Sequence, residues 1–470
     1  MMQKSAFLLL LLSISLLGWI GEVHAQPFMN RKNTEVNVAK PNILIIMADD
    51  LDSRQLSCYG GQNIQTQNID QLAREGLKFN QIIASEAMCV PTRASLFTGL
   101  YPARHGAYQN HKAVYNNLKS VVHDLNDLGY RVALSGKDHV TKPEAVFPFR
   151  ILPGLEPNCV ASTDHYFLDS IAAFINNRES PYCLFLMSIN PHAPWTVGNP
   201  SEFDPEKLRL PSHWVDTDTT RKQFAKYLAE VRRLDDQVGD IMQMLVRSGQ
   251  ADNTIVIFLG EQGPQFPGGK WTLWDNGQKS SMIVRWPGKA KPQAETNALV
   301  QYEDIAPTLI SIAGGKARED MDGRSFVSVI EGKKKQHRAY AYGIHNNFPE
   351  GPAYPIRSIR NGDFKLILNL QADSAYYIKY MMNPKDNRSV YASWLEKAQS
   401  DTLAKKLANR IALRPAVEFY DLKNDPEELN NLADESAYKD RIGNMSKELR
   451  AWMRRQGDRG IAMDVPFDRK

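Results

Sequence analysis

Ile43-Leu44-Ile45-Ile46-Met47-Ala48-Asp49-Asp50 is an unbroken apolar run that stops on two adjacent carboxylates. Its length and aliphatic content read as a buried strand, and three similar runs follow, at residues 130–134, 183–187 and 254–259. Within a few residues of its end, each run meets side chains suited to catalysis: Asp49 and Asp50, then Lys137 and His139, then His192, then Glu261 and Gln262. In an open parallel sheet covered by helices, ligands bind beyond the carboxyl ends of the strands, so four separated polar sets converge on one crevice.

The segments between the runs read as helices, as alternating β and α elements require. The clearest spans residues 221–248, where Phe224, Tyr227, Leu228, Val231, Leu234, Val238, Ile241, Met242 and Leu245 recur at three- and four-residue spacing before Gly249. Its aromatic and Met positions read as core, and Lys226, Arg232, Arg233, Asp236 and Asp240 as its solvated face. Shorter helices are expected at 69–75, behind Asn68, and at 304–313. Beyond residue 338 the pattern changes: 339–344 and 356–370 read as strands, with Asn361-Gly362 as a hairpin turn, and 440–456 as a charged helix. The expected fold is therefore α/β: a large mixed, mostly parallel sheet sandwiched by helices over 41–338, then a smaller α+β domain with an antiparallel sheet over 339–470. The basic run 332–338 between them is a solvated loop or a polyanion-binding patch.

At the start of the chain, Lys4 precedes an apolar run over 6–17, and Val23-His24-Ala25 supplies small residues before Gln26. This pattern reads as a secretory signal peptide over 1–25, followed by an extension over 26–40, and predicts an exported protein, periplasmic or secreted. The run is short and promptly followed by polar sequence, which favours a cleaved signal over an uncleaved anchor, the lesser alternative, and the remaining sequence has no stretch of spanning length. Loss of Lys4 and Glu22 together would leave the formal charge of +4 unchanged, a mild excess that suits a polyanionic substrate and gives no sign of nucleic-acid binding.

Asp49, Asp50, Glu261 and Gln262 offer only oxygen ligands, which is what a hard divalent cation such as calcium prefers. Lys137 and Lys270 are candidate contacts to an anionic group, acting as point charges. His139 and His192 are candidate proton-transfer groups, both expected to titrate near neutrality. His192 stands in Asn190-Pro191-His192-Ala193-Pro194-Trp195, whose prolines restrict the loop. The tract Cys89-Val90-Pro91-Thr92-Arg93-Ala94-Ser95-Leu96-Phe97-Thr98-Gly99 reads on its own either as a buried thiol beside a turn proline or as a reactive centre. If a helix begins near Pro91, Arg93 turns back toward Cys89 and the helix N-terminus adds a positive field.

The cysteine tract resembles the modification signature of type I sulfatases. Residues 41–50, 56–60, 68–72, 136–139, 191–194, 305–309 and 420–426 are similar to further landmarks of that family, in the same order. The resemblance implies an alkaline-phosphatase-like fold and conversion of Cys89 to 3-oxoalanine (formylglycine) by a formylglycine-generating or sulfatase-maturating enzyme. In the family the hydrated aldehyde attacks sulfur with one hydroxyl and expels sulfate with the other. It also implies one calcium ion bound by Asp49, Asp50, the modified Cys89, Glu261 and Gln262, and catalytic roles for Arg93, Lys137, His139, His192 and Lys270. Two departures stand out: Thr92 where serine is usual, and Glu261-Gln262 where an Asp-Asn or Asp-His pair is usual. The longer pair keeps a metal only if its backbone retreats. Residues 262–270, 354–360 and 365–370 resemble heparan N-sulfatases (sulfamidases), which points to a sulfated saccharide, with an N-sulfate on glucosamine among the options. His345 and Arg357 are candidate substrate contacts or parts of the strand frame. With Cys89 converted, Cys58, Cys159 and Cys183 remain, so at most one disulfide is expected. A phosphodiesterase or phosphonate hydrolase on the same fold, and an inactive saccharide-binding protein, are the alternatives.

Overall fold

The computed structural model describes residues 40–467 apart from 141, 162, 387 and 388, so the expected signal peptide lies outside the described residues, as does the expected extension up to residue 39. In chain order the large sheet contains β1 (Asn42–Met47), β2 (Leu77–Ile83), β3 (Arg131–Gly136), β4 (Arg150–Ile151), β5 (Tyr182–Met187), β6 (Thr254–Leu259), β7 (Lys279–Arg285), β8 (Ala294–Thr296) and β9 (Val300–Gln301). Their spatial order is β4-β3-β5-β1-β6-β7-β2-β8, with β9 also paired to β2. From β4 to β6 all pairs are parallel, whereas β7 runs antiparallel to both β6 and β2.

The four expected strands are the sheet's centre, and the reason is their exposure to two apolar layers. Along β1, Leu44 and Ile46 join one core with Leu184, Leu186, Val256 and Phe258. Ile43, Ile45 and Met47 face the other way, into a second core with Phe185, Ile257 and Leu259. Alternate side chains point to opposite faces, so a strand covered on both sides must be apolar at every position. The helix Asp218–Arg247 closes the first layer through Phe224, Leu228, Val231, Val238 and Leu245. The helices Cys89–Thr98 and Ile305–Ile312 close the second through Ala94, Phe97, Ile305 and Leu309.

Several strand boundaries differ from expectation by one or two residues: β1 begins at Asn42, β5 at Tyr182, and the strand read at 339–344 spans Ala341–His345. The strand read at 130–134 begins at Arg131 and runs on through Ser135 and Gly136, because its pairing with β5 continues to Gly136 opposite Met187. Ser135 and Gly136 are held by the β5 ladder and carry no apolar signal.

A second, four-stranded antiparallel sheet is formed by β10 (Ala341–His345), β11 (Ile356–Arg360), β12 (Phe364–Asn369) and β13 (Val417–Asp421), in that spatial order. Asn361 closes the β11–β12 turn, its Oδ1 accepting from Asp363 N and Phe364 N. The helix Lys439–Gln456 packs on this sheet, with Trp452 stacked on Tyr342 at 4.8 Å between centroids. In the basic run, Arg338 is pinned to Asp304 at 2.5 Å, while Lys333, Lys334 and Lys335 are exposed. All four cysteines are free thiols. Among the described residues no helix is long and apolar enough to cross a membrane.

Candidate active site

The strand ends are tied to one another by backbone bonds. Asp49 N donates to Asn190 O, Ser188 N to Met47 O, and Lys137 N to Met187 O, at 2.8–3.1 Å. These bonds bring the Asp49-Asp50 step, Lys137 and the His192 loop to one point. The approach demands glycine at position 136: its φ is +95°, and a Cβ there would stand 2.1 Å from Met187 O. Asp50 takes a positive φ of 54°, a conformation that costs a non-glycine residue energy and is held by its partners.

Cys89 is the first residue of the helix Cys89–Thr98, two residues earlier than a start at Pro91, and Pro91 falls in the first turn. Its buried Sγ is met by Lys270 Nζ at 3.3 Å and by Asp49 Oδ1, Lys137 Nζ and Gln262 Nε2 at 3.5 Å. Lys137 also donates to Asp49 Oδ2, and Lys270 to Asp50 Oδ2 at 2.7 Å. Arg93 bonds Glu261 Oε1 at 2.6 Å and the Lys137 carbonyl at 3.2 Å. Trp271 N donates to Ala87 O, which fixes the Lys270 loop against the approach to Cys89. Three carboxyls and three cations thus interlock out of contact with solvent, where charge interactions are far stronger than in water.

The protonation preferences follow from that packing. Burial pushes the Asp49 carboxyl up, but Lys137 beside it, with His192 and Arg93, holds it well below the usual range. Burial keeps Asp50 raised despite Lys270, and Glu261 well raised despite Arg93. Burial and Asp49 push the Cys89 thiol up, yet Lys137, Lys270 and Arg93 bring it below its ordinary value. His192 is lowered to about 4 by burial and by Lys137 and Lys270. His139 is lowered further, by burial and by Lys137 and Arg93. The expectation that both histidines titrate near neutrality is therefore corrected: buried beside fixed cations, each is neutral at pH 7. His139 Nε2 meets Cys159 Sγ at 3.0 Å, a partner that has no strand-end signal in the sequence.

Asp49, Asp50, Cys89 and His192 each bring a ligand atom within 4.8 Å of one another, an arrangement able to hold a metal ion. The donor set fits a hard cation. The Gln262 amide reaches Asp50 Oδ1 at 2.5 Å, and its Oε1 has no hydrogen-bond donor, so turning the amide presents an oxygen to the same point. Glu261 lies in the cluster with its oxygens engaged by Arg93 and by Gln262 Nε2 at 3.0 Å.

His345 and Arg357 are fully buried. Arg357 is clamped by Asp458 at 2.5 and 2.8 Å and donates to His345 O, and His345 Nε2 faces Asn347 Oδ1 at 3.2 Å. Neither shares a hydrogen bond or ion pair with the Cys89 cluster among the described residues, and this geometry suits a framing role. Lys137, Lys270, Arg93 and His192 all converge there. Asn110, His111 and Glu350, which the sequence reading did not single out, lie beside His139: the His111 and His139 rings are 5.4 Å apart. An exposed histidine in a loop and a glutamate after a strand have no spacing that would have marked them.

The sheet and the buried cluster at its strand ends define the class, an α/β chain with a cation-ringed thiol–carboxylate centre. Comparison with known proteins narrows it. A family model described as Sulfatase matches residues 41–315, and one described as N-sulphoglucosamine sulphohydrolase, C-terminal, matches 269–414. An ulvan-active sulfatase of Formosa agariphila is 34% identical over 422 residues, covering 89% of this chain and 81% of that protein. The human N-sulphoglucosamine sulphohydrolase is 26% identical, covering 88% and 90%. A structure solved with D-glucosamine-2-N,6-O-disulfate superposes with a TM-score of 0.70 at 21% identity, covering 89% of this chain and 99% of that one. The chain belongs to the sulfatase family. As such it is an enzyme, with the alkaline-phosphatase-like architecture of its structural neighbours.

Proposed function

We propose that this chain removes a sulfate group from a sulfated saccharide and releases inorganic sulfate, using a formylglycine made from Cys89 by a maturating enzyme, and one calcium ion. The observation that carries this reading is the ring of cations around Cys89 Sγ, with Lys270 and Lys137 at 3.3 and 3.5 Å inside a site shut off from solvent. An encoded thiol is a poor match for sulfur–oxygen cleavage; the hydrated aldehyde would supply a nucleophilic hydroxyl and a second one whose ionisation releases sulfate. Asp49, Asp50, Gln262 and position 89 would hold calcium, which would neutralise anionic oxygens.

The chain's own residues do the rest. Lys137 and Lys270 neutralise sulfate oxygens as charge builds; Arg93 fixes Glu261 and the Lys137 backbone, and Asp50 holds Lys270. His192, neutral at pH 7, keeps one ring N–H that would hydrogen-bond the leaving atom as charge builds there. His139, whose buried Nδ1 has no partner, would take a proton from the second hydroxyl, and Thr92, which donates to Glu86 O at 2.7 Å, anchors the start of the helix. The saccharide class rests on the named activities of the relatives above, and export on the signal-like N-terminus. N-sulfated glucosamine and sulfated ulvan oligosaccharides are the first substrates to try.

The test has two arms. Free sulfate is measured over a panel of N- and O-sulfated saccharides, with wild type, Cys89→Ala and chelator-treated enzyme side by side; and the peptide containing Cys89 is weighed in protein from its native host. Sulfate release lost in Cys89→Ala, lost on chelation and restored by calcium is expected, with an aldehyde at position 89. An unmodified thiol, or full turnover in Cys89→Ala, would sink the proposal.

A further inference from the structure

A second polar group stands next to His139, outside the Cys89 cluster. Glu350 is fully buried, and its Oε1 accepts from Asn110 Nδ2 at 2.9 Å and faces His111 Nε2 at 3.5 Å. Its Oε2 has no donor, and neither does the buried Oδ1 of Asn110. Each buried acceptor left without a donor costs about 1–3 kcal/mol, and here two of them lie in one group.

The group is built, not incidental. His111 holds a positive φ of 63°, which aims its ring at the cluster while a third of the side chain stays exposed. Glu350 comes from the loop that leaves β10 of the second sheet. That loop is latched at several points: Asn346 Nδ2 donates to Tyr108 O at 2.9 Å, and Asn347 N and Phe348 N donate to Asp464 at 2.7 and 2.9 Å. Lys379 N closes it from outside by donating to Glu350 O at 2.9 Å. The second sheet thereby delivers an acceptor to His111, whose ring lies 5.4 Å from that of His139, just beyond the end of β3.

We propose that Asn110, His111 and Glu350 form the subsite that reads the sugar ring carrying the scissile sulfate, taking a hydroxyl or amino substituent as hydrogen-bond donor. This rests on the saccharide reading above. The charge pattern favours it: the cations around Cys89 attract the sulfate, whereas a carboxylate set to one side repels a second anion and rewards a neutral or positive donor. A site whose buried polar groups await a donor discriminates strongly against a ligand that lacks it.

The experiment compares mature full-length wild type, Glu350→Gln and His111→Ala on two probes. One is a sulfated saccharide that the wild type desulfates; the other is 4-nitrophenyl sulfate, which has the sulfate and no sugar. Each substitution is expected to lower the ratio of kcat/KM for saccharide over aryl sulfate by about tenfold or more, through KM. His111→Ala changes a partly exposed residue, so its result stands even if Glu350→Gln folds poorly. An unchanged ratio in His111→Ala, or an equal fall on both probes, overturns the subsite. Absence of sulfate release by wild type from every saccharide overturns the functional proposal itself, which is a different outcome.

Discussion

Glu230, on the helix Asp218–Arg247, anchors the loop that carries His192. Its Oε1 accepts from Thr196 N at 2.8 Å and Val197 N at 3.3 Å, while its Oε2 is buried without a donor. Burial pushes this carboxyl up to about 8, against an ordinary 4.5. The folded protein therefore holds a proton that the unfolded chain gives up. That contribution to stability is fully present below about 4.5 and is lost as pH rises toward about 8. Between pH 5.5 and 8 the loss integrates to about 3 kcal/mol, at 1.36 kcal/mol per pH unit. Glu230→Gln keeps the accepting oxygen and places an amide where the protonated oxygen stood, so it removes the titration while preserving the anchor. The stability of the variant relative to wild type should therefore rise by about 3 kcal/mol from pH 5.5 to pH 8. Calorimetric or urea unfolding at both pH values reads this directly, since every other group titrates alike in the two proteins and cancels. A difference that stays level within about 0.5 kcal/mol would refute the reasoning, since it would mean that Glu230 is ionised in the folded state across the range.

Arg93→Met keeps the volume and removes the guanidinium that bonds Glu261 at 2.6 Å; because burial already holds the Glu261 carboxyl well raised, the expected loss is that of a buried charge-assisted hydrogen bond, about 1.5–3 kcal/mol, to be read by thermal unfolding in calcium-free buffer. A loss below about 0.5 kcal/mol would show that this bond contributes nothing in solution. Gly263→Ala places a Cβ 1.7 Å from Asn276 O and forces the Gln262 turn away from the segment it bonds, since Gly263 N donates to Gly277 O at 2.8 Å. A destabilisation of at least about 1–3 kcal/mol is expected, with weaker calcium binding in titration calorimetry; wild-type affinity would show that the turn can shift without moving Gln262.

How much was readable depended on the kind of burial. The strands at 43–47, 183–187 and 254–259 announce themselves because both faces are covered and no polar position survives. β2 and β7 carry no such run: Leu77–Ile83 interleaves Lys78, Asn80 and Gln81, and Lys279–Arg285 begins Lys279-Ser280-Ser281. Ser280 there bonds Tyr302 OH at 2.9 Å, a tertiary bond with no local trace. His345 at a strand end and Arg357 within a strand give no local sign of their partners, Asn347 and Asp458. His139 was legible as a polar residue after a strand, but not its contact with Cys159, twenty residues on.

The sequence by itself determined the central sheet, the polar sets at its strand ends, the cysteine tract and the family it resembles, because each depends on residues close together in the chain. Tertiary structure alone decided which charges meet. The pairing of Lys137 with Asp49, Lys270 with Asp50 and Arg93 with Glu261 links positions 88, 220 and 168 residues apart. So does the arrival of Glu350, 240 residues beyond Asn110, from a different sheet. Protonation follows from those meetings: a histidine beside two buried lysines is neutral where an isolated one would titrate, and no local pattern encodes the distance that makes it so.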